Sequence, residues 1–131
     1  GEAVKVDTGG TPVWVAGAPP WREDLVDRAL AAVPPGAFSV FLYHYPDALD
    51  ALSNRGVGLV CSGHTHGGQV ALPGYGALVT LAKTGKQYEA GLYRKAETWM
   101  YVSRGIGMEG SFLPRVRFCA RPEVTVIDMT N

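Results

Sequence analysis

The feature that most constrains the fold is a strand–helix–strand pattern in residues 38–61. Residues 38–43 form a near-continuous run of apolar, β-branched and aromatic side chains, which is typical of a strand covered on both faces. Residues 46–53 carry proline at a first helical position and predict a short helix, and residues 57–61 predict a second buried strand. Such a compact unit predicts adjacent parallel strands joined by a right-handed crossover.

The flanking residues extend this unit into a mixed α/β fold. Two β-prone runs, at 3–6 and 12–16, flank a glycine-rich turn and predict a hairpin. Residues 21–33 have apolar side chains at helical spacing and predict a helix. The later part favours short, mainly antiparallel strands at 69–72, 77–80, 87–93, 98–102, 116–119 and 124–127. We therefore predict a mixed-sheet α/β sandwich of two packed sheets with few helices.

Composition excludes several classes of protein. The chain has 131 residues, 47% of them hydrophobic, which suits one globular domain over residues 1–131. Its 12 basic and 12 acidic residues are not clustered, so there is no nucleic-acid footprint. No apolar stretch approaches the roughly 18 to 20 residues of a membrane span, and we expect the chain to be soluble.

All three histidines of the chain fall at one edge of the predicted sheet. His44 follows the first strand of the strand–helix–strand unit, and His64 and His66 follow the second. Neighbouring strand ends lie roughly 5 Å apart, and ligands bind at this edge of open α/β sheets. In an extended loop His64 and His66 would point to the same side, with Thr65 turned away. A single histidine there is usually solvated or packed in the core, but three together predict a divalent metal site.

The histidine segments resemble two motifs of a known enzyme family. Residues 63–69 read Gly-His-Thr-His-Gly-Gly-Gln, and residues 43–47 read Tyr-His-Tyr-Pro-Asp. Both resemble the last motifs of the calcineurin-like metallophosphoesterases, especially the branch with the Gly-His-Thr-His-Gly-Gly-Gln signature. Segments at 91–93, 101–107, 114–118 and 121–123 are similar to that branch as well. The resemblance implies an α/β sandwich whose two-metal centre, at the sheet edge, hydrolyses phosphate esters.

Carried over to this chain, the resemblance implies that His44 and His64 bind one metal and His66 the other. The implied cofactor is a divalent metal, Mn, Zn or Fe, and the implied partner is a phosphoester substrate. Two such metals can polarise the phosphoryl oxygens and stabilise the charge that builds up in the transition state.

The earlier motifs of the family, Asp-x-His, Gly-Asp and Gly-Asn-His, are absent from the sequence. The chain therefore resembles the C-terminal half of the family fold, with an incomplete site. Three neutral imidazoles without a bridging carboxylate do not hold two cations, so we expect one weakly bound ion at best and an inactive isolated chain. Two alternatives stay open: a non-catalytic oligomerisation or partner-binding module on the same scaffold, and a mononuclear metal-binding domain.

Other residues are interpreted as structural. Asp47 suits the first turn of a helix, and Arg104 is read as a surface arginine at a strand end. Trp14, Trp21 and Trp99 are assigned to core or interface packing rather than to a stacking platform. A half-sized fold also leaves strand edges and apolar surface uncovered, from which we expect a homodimer or higher oligomer.

Overall fold

A computed structural model describes residues 1–110 and 115–130, which are built around one six-stranded mixed sheet. Part of the segment 114–118, to which a family resemblance was assigned, lies outside the described residues. The strands are β1 (Glu2–Val6), β2 (Val13–Gly17), β3 (Ser39–Leu42), β4 (Leu59–Ser62), β5 (Ala71–Leu72), β6 (Gly76–Ala77), β7 (Gly91–Lys95) and β8 (Thr98–Val102). The helices are α1 (Glu23–Ala31), α2 (Ala48–Leu52) and a short 3-10 helix at His66–Gly68.

The order of strands in the large sheet is β1-β2-β3-β4-β8-β7. The predicted hairpin is confirmed, since β1 and β2 pair antiparallel. The central strand–helix–strand prediction is also confirmed, because β3 and β4 are parallel neighbours with α2 between them in sequence. The α/β class with few helices is therefore correct.

The later half differs from the prediction of short antiparallel strands. Strands β7 and β8 do form an antiparallel pair, but β8 joins the central sheet parallel to β4. Among the described residues, the second sheet consists of β5 and β6, with two residues each. These long-range pairings depend on tertiary packing, which local alternation in the sequence does not encode.

Two of the predicted strands do not form. The run at 116–119 is reduced to isolated bridges from Val70 to Phe118 and Cys119. The run at 124–127 belongs to no strand, and Val124 and Val126 are 84% and 83% exposed. Alternating valines favour a strand only when another strand pairs with them, and the described residues supply none there.

The core lies where α1 packs against β1 and β2 and where α2 packs against β8. Its buried side chains include Ala29 of α1, Leu49 and Leu52 of α2, and Phe41, Val60, Met100 and Val102 of the sheet. Strands β3 and β4, whose C-terminal ends lead to the histidines, are therefore anchored in this core. In the described ranges, no helix has the length and apolar character needed to cross a membrane.

Tyr88 provides a test of the packing beside α2. Tyr88 is 6% exposed, and its hydroxyl donates a hydrogen bond of 2.8 Å to Asp50, to which Lys95 also donates. Burial, reinforced by the Asp50 carboxylate, raises the pKa of Tyr88 to about 12. Because the pKa of Tyr88 is higher in the folded chain than in the unfolded chain, the protonated phenol contributes fully to the free energy of unfolding below about pH 10. That contribution is lost as the pH rises towards 12.

We therefore expect Tyr88→Phe to remove the last tyrosinate step, near pH 12, from an absorbance titration of the folded chain. Tyr75→Phe, at a residue that is 60% exposed, is the matched control and should leave that step in place. A titration curve of Tyr88→Phe that still contains the step would contradict the assignment.

Candidate metal centre

The histidine region begins where the two central strands end together. Beyond β3 the backbone N–H of Tyr43 donates to the Cys61 carbonyl at 3.1 Å, and the Gly63 N–H donates to the His44 carbonyl at 3.2 Å. The ladder between the strands therefore continues up to His44. The side chains that follow β3 and β4 leave the sheet side by side.

His44 and His64 are brought into direct ring contact. Their ring centres lie 5.1 Å apart with the planes inclined at 64°. Tyr45 packs against His64 at 4.3 Å and against His44 at 4.8 Å. The Nε2 atom of His64 lies 3.3 Å from the Leu81 carbonyl oxygen. With its proton on Nε2, His64 donates to that carbonyl and keeps the lone pair of Nδ1 free for a ligand.

The loop that carries His64 and His66 is not extended, contrary to the prediction. His64, His66 and Gln69 have φ values of 68°, 52° and 55°, in the left-handed region that side chains other than glycine rarely adopt. Residues 66–68 form the 3-10 helix, within which Gly67 has a φ of 63°. Backbone strain of this kind concentrates at functional sites, where the surrounding structure holds it in place.

Thr65 and Gln69 hold this loop from inside the molecule. Thr65 is buried, donates from Oγ1 to the Glu89 carbonyl at 2.6 Å and accepts from the Gly67 N–H at 3.3 Å. Gln69 is also buried, and its side-chain amide exchanges hydrogen bonds with the backbone N–H and carbonyl of Glu109. Both polar side chains bind backbone groups, so the loop conformation is fixed from two directions.

The side chain of Arg117 binds backbone carbonyls of the same loop and its surroundings. Its guanidinium donates to the carbonyl of His66 at 3.1 Å, and also to the carbonyls of Arg104, Gly107 and Ala120. Burial and the nearby Arg104 lower the pKa of Arg117. The planar fork of arginine suits this arrangement, because its donors point in fixed directions towards several acceptors at once.

His66 lies close enough to influence His44 electrostatically, although it makes no ring contact with it. Desolvation, with smaller contributions from His64 and His66, lowers the pKa of His44. Burial and the charge of Arg117 lower the pKa of His66, while Gln69 and Glu109 oppose that shift. Both directions favour the neutral imidazole, which is the form that binds a metal.

The residues fit part of a metal site. Two imidazoles on one tetrahedral ion have ring centres about 5 Å apart, which matches the 5.1 Å between His44 and His64. The Nδ1 atom of His66 is buried without a hydrogen-bond partner among the described residues, as an atom reserved for a ligand would be. In that same part of the chain, however, no group of three or more His, Cys, Asp or Glu side chains is arranged to hold an ion. The spacing of His44 and His64 thus matches that of two ligands of one ion, whereas His66 makes no ring contact with them.

Two side chains interpreted as structural from the sequence have well-defined partners. The Asp47 carboxylate makes no cap for α2 but accepts from the N–H and hydroxyl of Thr84, at 3.0 and 2.7 Å. Arg104 pairs with Glu123 at 3.2 Å and is 35% exposed. The sequence placed Arg117 in a segment similar to the family but gave it no role, because its acceptors are backbone carbonyls and leave no signature in the residue pattern.

Comparison with known proteins identifies relatives that share most of this chain. The metallophosphoesterase YkuE of Bacillus subtilis is 47% identical over 94 residues, which is 72% of this chain. The phosphodiesterase YaeI of Escherichia coli is 35% identical over 67% of the chain. The UDP-2,3-diacylglucosamine pyrophosphatase LpxG of Chlamydia trachomatis is 32% identical, also over 67%. The chain belongs to the calcineurin-like metallophosphoesterases.

This metallophosphoesterase chain spans about a third of the length of those relatives: 32% of YkuE, 31% of YaeI and 28% of LpxG. No protein-family model matches it. No solved structure matches it significantly. Family membership therefore rests on the relatives, and the divalent metal is what their family implies.

Proposed function

We propose that this chain supplies part of the site of a metal-dependent phosphoester hydrolase. In this proposal His44 and His64 bind one divalent ion, Mn, Zn or Fe, and His66 belongs to the site of a second. The observation that carries it is the ring contact of His44 and His64 at the ends of two parallel strands, in a chain with metallophosphoesterase relatives. A bound divalent ion supplies a Lewis acid for the phosphoryl oxygens.

The chain's own residues have separate tasks in this proposal. His64 is oriented by the Leu81 carbonyl, and His66 is held through its own carbonyl by Arg117. Tyr45 packs against both rings of the histidine pair and so limits the directions in which they can turn. None of these groups is a carboxylate that could bridge two ions, so we propose that the isolated chain binds at most one ion and does not turn over substrate.

The test is a titration of the metal-free chain with Mn²⁺, followed by an assay of a generic phosphodiester in excess Mn²⁺. We expect one weak site and no turnover. His64→Ala should weaken Mn²⁺ binding by at least about tenfold, because it removes a ligand. His66→Ala is the matched variant and should leave the ion on His44 and His64 in place.

The other outcomes distinguish the alternatives. Equal loss of Mn²⁺ binding in all three histidine variants would indicate a mononuclear site built from all three side chains. No metal binding, together with an oligomer by light scattering of the same samples, would favour a non-catalytic oligomerisation module. Turnover by the isolated chain that His66→Ala abolishes would overturn the proposed inactivity.

A further inference from the structure

A cavity of about 490 Å³ opens beside His64, between α1, α2 and the end of β3. This volume is in the range of sites that take a small organic ligand. His64 forms part of the wall, so the cavity is continuous with the candidate metal centre. The rest of the wall is largely aromatic and aliphatic and includes Trp21, Val26, Tyr43, Tyr45, Leu52 and Leu81.

A row of aromatic rings connects the cavity with the histidine pair. Trp21 and Tyr45 have ring centres 5.1 Å apart, and Tyr45 packs against His64 at 4.3 Å. His64 in turn contacts His44 at 5.1 Å. A ligand whose polar end lies at the histidines would therefore place its organic part against Tyr45 and Trp21.

Trp21 combines a mostly exposed side chain with a backbone conformation that is rare for residues other than glycine. It is 69% exposed, although the sequence suggested a core or interface role, and its φ of 61° lies in the left-handed region. Its backbone N–H donates to the Tyr43 hydroxyl at 3.1 Å, which fixes this conformation. An exposed indole on a strained backbone costs free energy, and such costs are typical of ligand sites.

The charged side chains of the cavity wall are three acidic and two basic residues, so the wall has a small net negative charge that disfavours an anionic group there. Asp27 is paired with Arg55 at 2.7 Å, and Asp47 is bound by Thr84. Glu23 and Lys83 are the other charged residues of the wall, and they have opposite signs. The cavity therefore suits an uncharged group, whereas the neutral histidines at its end suit an anion once a cation is bound.

We propose that this cavity binds an aromatic ring of the phosphoester substrate, stacked against Trp21 and Tyr45, with the phosphoryl group directed towards His44 and His64. Aromatic faces favour a ring over a flexible chain, because ring pairs gain energy beyond the area that they bury. The inference deepens the proposed function and rests on it for the position of the phosphoryl group.

The experiment compares three probes by calorimetric titration of the chain with Mn²⁺ present: 1-naphthyl phosphate, octyl phosphate and methyl phosphate. We expect 1-naphthyl phosphate to bind at least about tenfold tighter than methyl phosphate. Trp21→Ala should reduce this advantage to less than about threefold. Trp99→Ala is the control, since Trp99 is 41% exposed on β8 and lies outside the cavity.

Three results would overturn the proposal: equal affinity for naphthyl and methyl phosphate, an advantage that survives Trp21→Ala, or tighter binding of octyl phosphate than of naphthyl phosphate. The last of these would indicate an alkyl site. A thermal melt of each variant establishes that Trp21→Ala is folded, as expected for a side chain that is mostly exposed.

Failure of the metal site is detected separately. Uncharged 1-naphthol, titrated in metal-free buffer, reports on the cavity alone, and its binding should also be weakened by Trp21→Ala. If naphthol shows this dependence while Mn²⁺ does not bind, the aromatic cavity stands and the proposed hydrolase site is wrong. If Mn²⁺ binds through His64 but naphthol binding is unchanged in Trp21→Ala, the aromatic-site proposal is wrong and the metal proposal stands.

Discussion

Replacing Gly68 by alanine is expected to destabilise the chain by about 4 kcal/mol, a large part of the stability of a small domain. Gly68 is the buried last residue of the 3-10 helix at His66–Gly68 and has a φ of 77°. An added Cβ would overlap the Cβ of Ala77 and lie 2.9 Å from the Val79 carbonyl oxygen. Because part of this obstacle is backbone, side-chain rotation cannot relieve it.

Gly74→Ala separates the two causes of this destabilisation, which are the overlap of the added Cβ with its neighbours and the left-handed backbone conformation. Gly74 has almost the same φ, 75°, but no atom lies within 4 Å of an added Cβ. Its substitution should therefore cost only the left-handed backbone penalty, about 1 kcal/mol. Urea denaturation of both variants measures the difference. Similar midpoints for Gly68→Ala and Gly74→Ala would show that packing between the histidine loop and Ala77 is unimportant.

The parts of the fold that could be predicted are those specified by local sequence. The run at 38–43, the helix that begins near Pro46 and the run at 57–61 each carry their own signal, and the crossover rule then assigns them to parallel neighbours. The position of β8 beside β4 carries no such signal. It is determined by packing between residues about 40 positions apart in the chain.

The candidate site was predictable in its location and not in its detailed geometry. Histidines at the ends of two parallel strands must lie near one another, and His44 and His64 do. The conformation of the loop depends on Thr65, Gln69 and Arg117, whose partners are backbone groups far away in sequence. The position of His66 relative to His64 therefore could not be predicted from their His-x-His spacing in the sequence.

Removing the Arg117 side chain is expected to cost about 3 to 5 kcal/mol and to loosen the histidine loop. The guanidinium is the donor shared by the carbonyls of His66, Arg104, Gly107 and Ala120. Without it, carbonyls in a partly buried region lose a charge-assisted hydrogen bond, and each such loss is costly when no other donor replaces it. Arg117→Ala should lower the denaturation midpoint and speed amide hydrogen exchange in residues 66–70.

Arg117→Lys tests whether the geometry of the fork matters as well as its charge. An ammonium group has only three donors on a single atom and cannot span the carbonyls on both sides of the guanidinium. We therefore expect lysine to restore less than half of the lost stability and little of the protection from exchange. The control is Arg121→Ala, at an exposed arginine near the same segment, with an expected change within about 0.5 kcal/mol. If Arg117→Ala is as stable as Arg121→Ala, the carbonyls around Arg117 find other donors, and the histidine loop keeps its shape without this residue.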